Sequence, residues 1–171
     1  MPFEHSEEDD AAARFRQAMR GFASTVTIIT AGDHERHHGM TATAVMPISM
    51  DPPTLAICID RSRQLHDILV SARRFCVNVL DEAQSPVSTA FSGGENAAQR
   101  FDQGTWEYFE DGLGYLADAQ SNMICEKAAA VPFGTHTLFF GTVVEVRDAE
   151  RQTPLVYLNA GYCTMPVPIT A

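Results

Sequence analysis

The sequence predicts a mainly β protein with short helices, its strands antiparallel and closed or partly closed into a barrel. Three observations carry that expectation. Runs rich in β-branched and apolar residues recur at 25–30, 54–59, 75–80 and 137–146, each with the composition of a strand. The helical patterns are short and do not alternate regularly with these runs, which argues against a doubly wound parallel sheet. The 171 residues hold no internal repeat and no low-complexity linker, so one domain over 11–171, after an acidic leader over 1–10, is expected.

The elements follow in order. Ser6 with Asp9 is a plausible helix start, since negative charge suits a helix N-terminus. Phe15, Met19 and Phe22 then fall at i, i+4 and i+7 on one helical face. Gly21 is the candidate stop. Residues 25–30 (T-V-T-I-I-T) read as a strand, 31–39 as a polar loop, and 40–46 as the return strand. Asp51, Pro52 and Pro53 break pairing, because proline donates no ladder hydrogen bond. A strand at 54–59 precedes a short helical stripe of Leu65, Ile68, Leu69 and Ala72. A strand at 75–80 is followed by Ser85 as an expected N-cap with Pro86 at the first helical position. The stretch 106–119 reads as irregular, 123–126 as a strand, 137–146 as the strongest strand, and 155–158 as the last.

Composition narrows the function. Lys+Arg number 12 and Asp+Glu 22, a formal charge of −10. That balance argues against a nucleic-acid or anionic-membrane binder, since both need a basic field. It leaves room for a small anionic ligand held by local arginines. No apolar run approaches the roughly 18 residues of a membrane span, and the acidic N-terminus is unlike a secretory signal. Cys58, Cys76, Cys125 and Cys163 form no C-x-x-C pair, so they are expected to be free thiols in a reducing cytoplasm.

The sequence has no G-x-G-x-x-G after a strand, no P-loop, no G-x-S-x-G elbow and no H-E-x-x-H. His34, His37 and His38 cluster in the polar loop. A metal site needs converging ligands and a supporting outer shell, so they are read as solvated and no metal is expected. His5 and His66 carry no signal of their own.

Five segments, in order, resemble one family. Residues 40–53, M-T-A-T-A-V-M-P-I-S-M-D-P-P, are similar to the G-M-T-A-x-A-x-x-S-V-S-x-x-P-P signature of the small flavin reductases. Residues 15–30 resemble that family's opening helix and first strand, and F-C-V-N-V-L at 75–80 its F-x-V-N-V-L strand. F-G-T-H-T-L-F-F-G-T-V at 133–143 resembles its G-D/T-H-x-x-x-x-G-x-V motif, and P-L-V-Y at 154–157 with Tyr162 its closing segment.

The resemblance implies a six-stranded antiparallel Greek-key split β-barrel, acting as a homodimer that binds FMN or FAD. It implies oxidation of NADH or NADPH, reduction of the flavin, and delivery of reduced flavin to a flavin-dependent monooxygenase component. By resemblance Thr41, Ala42, Thr43, Ala44 and Val45 line the isoalloxazine. Small side chains let the ring approach backbone N–H groups, although such a strand would equally suit a plain barrel wall. Ile48, Ser49, Ser62, Arg63 and Gln64 come next, with Ser62 and Arg63 matched to the phosphate. The other reading of Ser62 is a helix cap, with Arg61 and Arg63 in solvent. Phe91, Ser92, Arg100 and Phe101 match a region near the phosphate or adenosine end. His136 is expected to position the nicotinamide, and Asn159, Ala160, Gly161 and Tyr162 to close over it. Hydride transfer needs alignment more than a protein acid or base.

Three departures stand out. Pro47 replaces a frequent serine, Thr135 a frequent aspartate, and Cys163 a frequent basic residue. Thr135 is a variation the family pattern allows; Pro47 leaves FMN against FAD open, and Cys163, with Asn159, Ala160 and Gly161 lacking a basic residue, leaves NADH against NADPH open. Other readings of the same fold are a flavin-holding electron carrier, a flavin-dependent corrin reductase, or a non-catalytic interaction domain.

Overall fold

In the computed structural model, residues 6–32, 35–93, 97–150 and 153–164 are described, without the side chains of 6–9, 97 and 98. His5 and His34 lie outside them. Among the described residues three α-helices accompany the strands: α1 (Ser6–Met19), α2 (Gln64–Ser71) and α3 (Ser85–Phe91). The strands are β1 (Ser24–Thr25), β2 (Thr27–Gly32), β3 (His37–Ala42), β4 (Val45–Met50), β5 (Pro53–Asp60) and β6 (Arg74–Val79). They continue as β7 (Trp106–Tyr108), β8 (Gly114–Leu116), β9 (Ser121–Phe133), β10 (His136–Asp148), β11 (Leu155–Leu158) and β12 (Gly161–Thr164).

The main sheet has seven antiparallel strands in the order β3-β2-β6-β9-β10-β5-β4. Its two edge strands, β3 and β4, are consecutive in the chain and separated only by Thr43 and Ala44. Three Cα–Cα steps span at most ~11 Å, so the sheet must curl until its edges approach at that link. The expected single return strand at 40–46 is therefore two strands. The chain leaves one edge at Ala42 and joins the other at Val45, and Ala44 O is fixed there by Cys58 N at 3.1 Å. Pro47 is accommodated because β4 is an edge, where a missing N–H breaks no ladder bond.

β2 is buried on both faces. Ile29 and Ala31 join Leu55, Ile57, Phe75, Val77 and Phe139 in one core, which α2 covers with Leu65, Ile68 and Leu69. Ile28 faces a second core with Leu80, Val87, Phe91 and Leu116 under α3. Along β10 the buried Thr137, Phe139 and Gly141 alternate with half-buried neighbours, the two-residue period of a strand. Asn78 is fully buried on β6 but fully partnered. Its amide donates to Ile28 O (2.8 Å) and Thr30 Oγ1 (3.2 Å), and its oxygen accepts from Leu116 N and Asn122 Nδ2. One side chain thus ties β2, β6, β8 and β9 together, which meets the requirement that buried polar atoms be hydrogen-bonded.

Other expectations change at the element ends. Ser85 is the first residue of α3 and not its cap. A 3₁₀ turn over Glu82–Gln84 already begins there, with Asp81 and Gln84 forming a capping box. Ser62 does not cap α2 either; Arg63 stands at that position with no side-chain cap bond. The stretch 106–119 is more regular than expected, holding the β7–β8 hairpin. The polar loop shortens, with β3 starting at His37. A last strand, β12, pairs with β11 in a small sheet of order β1-β11-β12. No described helix is long and apolar enough to cross a membrane. All four cysteines are free, Cys76 and Cys125 buried and Cys58 and Cys163 half-buried.

Candidate functional site

The curl of the sheet leaves a cavity of about 460 Å³ where β3 passes into β4. One wall is Thr41, Ala42, Thr43 and Ala44. Thr43 and Ala44 lie between the two edge strands, in neither ladder, so their small side chains leave backbone accessible. The Thr41 hydroxyl donates to Ser88 O at 2.6 Å, fixing this wall to α3. Opposite, the end of β5 brings Cys58 and Asp60, and the lead into α2 brings Ser62, Arg63 and Gln64. The end of α3 adds Phe91, Ser92 and Gly93, and Arg100 and His136 complete the rim.

His136 reaches the rim because of the turn before it. Gly134 adopts φ +57, a conformation that favours glycine, and so allows β9 to return as β10 within two residues. In register, His136 pairs across the strands with Asp60. Its Nδ1 is 2.8 Å from Thr135 Oγ1. Asp60 Oδ1 accepts from both the N–H and the hydroxyl of Ser62, each at 2.8 Å. Those two bonds hold the Asp60 carboxyl below its ordinary pKa. Burial pushes the Cys58 thiol up, so it is uncharged at neutral pH.

At the other side of the cavity, Arg100 Nη1 lies 3.2 Å from His38 Nε2 and 3.4 Å from Gly39 O. Burial, then the Arg100 charge, lowers the His38 pKa against a weaker opposing pull from Gln64. His38 therefore stands neutral at neutral pH. Gly39 lets the β3 backbone approach α3 closely: a Cβ there would lie 2.5 Å from Phe91 Cε1. Phe91 is fully buried and stacks edge-on against Phe101 at 5.1 Å, so the ring is held from behind.

Most of the expected flavin residues converge. Thr41, Ala42, Thr43, Ala44, Ser62, Arg63, Gln64, Phe91, Ser92, Arg100 and His136 all line this one cavity. Val45 does not; with Thr43 it lines a neighbouring cavity of about 450 Å³. Ile48 and Ser49 lie farther along β4, past a register shift, and the Ser49 hydroxyl is engaged with the Asp51 backbone. Asn159, Gly161 and Tyr162 also lie outside the cavity. Asn159 (φ 50) and Ala160 (φ 62) form the β11–β12 turn, and Asn159 N donates to Arg20 O. The Tyr162 hydroxyl is 2.8 Å from Ser88 Oγ, one residue removed from the Thr41 wall.

Sequence reasoning missed His38, Met40, Cys58, Asp60 and Gly93. The sequence places His38 in a solvated loop, yet it is half-buried on β3. Cys58 and Asp60 alternate on β5 opposite Leu138 and His136. A strand pairing between 54–60 and 136–142 would have predicted them once His136 was chosen.

A planar ligand with an anionic tail fits this donor set. The small residues of the Thr41–Ala44 wall leave room for a flat ring, and among the described residues neither Arg63 nor Arg100 has a carboxylate ion-pair partner. His38 Nδ1 is buried without a hydrogen-bond partner.

The chain is similar to known proteins. Residues 19–166 match the family described as "Flavin reductase like domain". The chain is 45% identical over 152 residues to the reductase component of an FADH(2)-dependent resorcinol hydroxylase from Rhizobium sp. (strain MTP-10005), covering 87% of this chain and 84% of that protein. It is 36% identical over 152 residues to "FMN reductase (NADH) RutF" of Pseudomonas syringae pv. syringae (strain B728a), covering 89% and 85%. Among solved structures, the styrene monooxygenase flavin reductase from Pseudomonas putida S12 superposes with a TM-score of 0.80 at 30% identity, covering 91% of this chain and 99% of that one.

Proposed function

The chain belongs to the flavin reductase family, and from that premise we propose that it is an NAD(P)H:flavin oxidoreductase feeding a partner monooxygenase. The observation that carries the reading is convergence: the Thr41–Ala44 link, Arg63, Arg100 and His136 come from four separate parts of the chain and line one cavity. FMN or FAD held there would supply the hydride-accepting chemistry.

The residues divide the work. Thr41, Ala42, Thr43 and Ala44 give the ring a flat seat and backbone donors. Arg63 and Arg100 supply guanidinium forks for the phosphate. Ser62, Gln64, Phe91 and Ser92 fill the rim between. His136 orients the nicotinamide: Thr135 holds Nδ1, and Nε2 is the nitrogen left for the carboxamide. The protein's contribution to rate is alignment of donor and acceptor. Val45, Ile48 and Ser49 act from β4 as support for the wall. Asn159, Gly161 and Tyr162 cover the nicotinamide side from the β11–β12 turn.

The curled seven-strand sheet is read as a split barrel in a single domain over 11–171. We infer a homodimer from the apolar surface one chain leaves exposed. It includes Met46, Ile48 and Met50 on β4, Val131 and Phe133 on β9, and Phe15, Met19 and Phe22 on and after α1. Such surface marks an interaction site in a water-facing protein, and a monomeric mass in sedimentation equilibrium would remove the dimer. The four free thiols support a cytoplasmic location. The partner is a hydroxylase-type monooxygenase, by analogy with the reductase component from Rhizobium.

The test is turnover. Purified protein with NADH and free FMN or FAD should oxidise NADH at a rate that saturates with flavin, and the product should sustain an added flavin-dependent hydroxylase. Absence of flavin-dependent NADH oxidation would overturn the reading.

A further inference from the structure

We propose that His38 is a positioning residue that turns Arg100 toward the flavin phosphate while leaving its charge uncancelled. The proposal rests on the flavin reading of the cavity above.

Arginine is always protonated, so Arg100 Nη1 is the donor in its 3.2 Å contact with His38 Nε2. Nε2 must then carry the lone pair, and the ring proton sits on Nδ1. Gly39 O takes the same Nη1 at 3.4 Å. Both partners therefore use one nitrogen of the guanidinium. Among the described residues nothing engages the edge formed by Nη2 and Nε. That edge is the two-donor fork that matches two oxygens of a phosphate.

The identity of the partner matters. An arginine held by a carboxylate is oriented and neutralised together, as Arg74 is by Asp111 at 2.8 Å elsewhere on the molecule. A neutral imidazole orients without neutralising. The Arg100 charge is then available to an anion, and no carboxylate must be displaced to admit one. A neutral imidazole in the cavity wall also adds no negative charge to a site already rich in donors. The expected substrate preference is a flavin that carries phosphate over one that does not.

The experiment is a flavin-fluorescence titration of the full chain with FMN and with riboflavin, which differ only in the phosphate. The wild-type chain should bind FMN more tightly. His38→Leu should weaken FMN about tenfold, the scale of one lost charge-assisted contact, and riboflavin less than about twofold. His38→Gln keeps an acceptor near the Nε2 position and should restore FMN to within about threefold of wild type. In an Arg100→Met background His38→Leu should cause no further loss, since the histidine acts through the arginine. If His38→Leu does not fold, His38→Asn, too short to reach Arg100, must show the same split.

Equal losses for both flavins, failure of His38→Gln to rescue, or a full additional loss in the Arg100→Met background would overturn the role of His38. A wild-type chain that binds neither flavin would instead overturn the reading of the cavity, and the proposal with it.

Discussion

The two ends of α2 open onto two cavities, and the larger is the less suited to a ligand. At the C-terminal end, Ser71 and Ala72 border a space of about 550 Å³. Its charges are matched in place: Arg74 with Asp111 at 2.8 Å and Arg73 with Glu126 at 3.6 Å. Nearby, Lys127 Nζ donates to Leu69 O and Val70 O, taking carbonyls of the helix's last turn. At the N-terminal end, the cavity of about 460 Å³ holds Arg63 and Arg100 against one carboxylate, Asp60, and Ser62 already engages an oxygen of that group. Volume does not separate these regions; the carboxylate pairing of Arg73 and Arg74, which Arg63 and Arg100 lack among the described residues, does. A site whose donors satisfy one another has little affinity left for a guest, because a guest must first displace them.

That contrast can be broken in four ways. The largest effect should come from filling the smaller cavity. Ala44→Tyr should weaken flavin binding by more than about a hundredfold, since an added ring must occupy the flavin's own volume. Val144→Tyr, at the exposed border of the larger cavity, should change it less than about twofold. Equal effects in a flavin titration would erase the distinction. Next, His136→Ala should raise the NADH KM about tenfold, the scale of a lost polar contact, and shift flavin affinity far less. Steady-state kinetics with NADH varied would reveal an unchanged KM, which removes His136 from the nicotinamide side.

Gly39→Ala tests how the smaller cavity is built. Its Cβ would fall 2.5 Å from Phe91 Cε1, and Phe91 is locked by Phe101 and Trp106. Overpacking of this kind costs about 1–3 kcal/mol, readable by urea denaturation, and flavin affinity should fall with it. An unchanged midpoint would show that the ring is free to move. The smallest effect belongs to the larger cavity. Arg74→Met, which breaks the partly exposed pair with Asp111, should cost about 1 kcal/mol or less and leave flavin binding alone. A clear loss of flavin affinity would mean that the two ends of α2 are coupled.

Much of this was legible in the residues. The strand runs at 54–59 and 137–146 lie within β5 and β10, and 75–80 overlaps β6 up to Val79, because their β-branched and aromatic content leaves no competing period. The T-A-T-A link stands out in the sequence through its resemblance, but its role as the passage between two sheet edges does not. Local composition gives no sign that one continuous pattern serves two strands on opposite edges. His38 shows the same limit. A histidine beside charged neighbours reads as solvated, and only the long-range approach of Arg100, 62 positions away in the chain, makes it part of a wall. Val45, Ile48 and Ser49 are matched by resemblance alone; Val45 lines the neighbouring cavity with Thr43, and the register shift between Pro47 and Ser49 sets the rest of β4 apart from the link. The β11–β12 turn was expected at the nicotinamide, but its Tyr162 hydroxyl is taken up by Ser88.

A crystal structure of the chain with FMN tests the central claim most directly. The account predicts the isoalloxazine ring against Thr41, Ala42, Thr43 and Ala44, one face open toward His136, and the phosphate on the free edge of Arg100. A ring seated among Arg73, Arg74 and Glu126 in the larger cavity, or a phosphate turned away from Arg100, would contradict it.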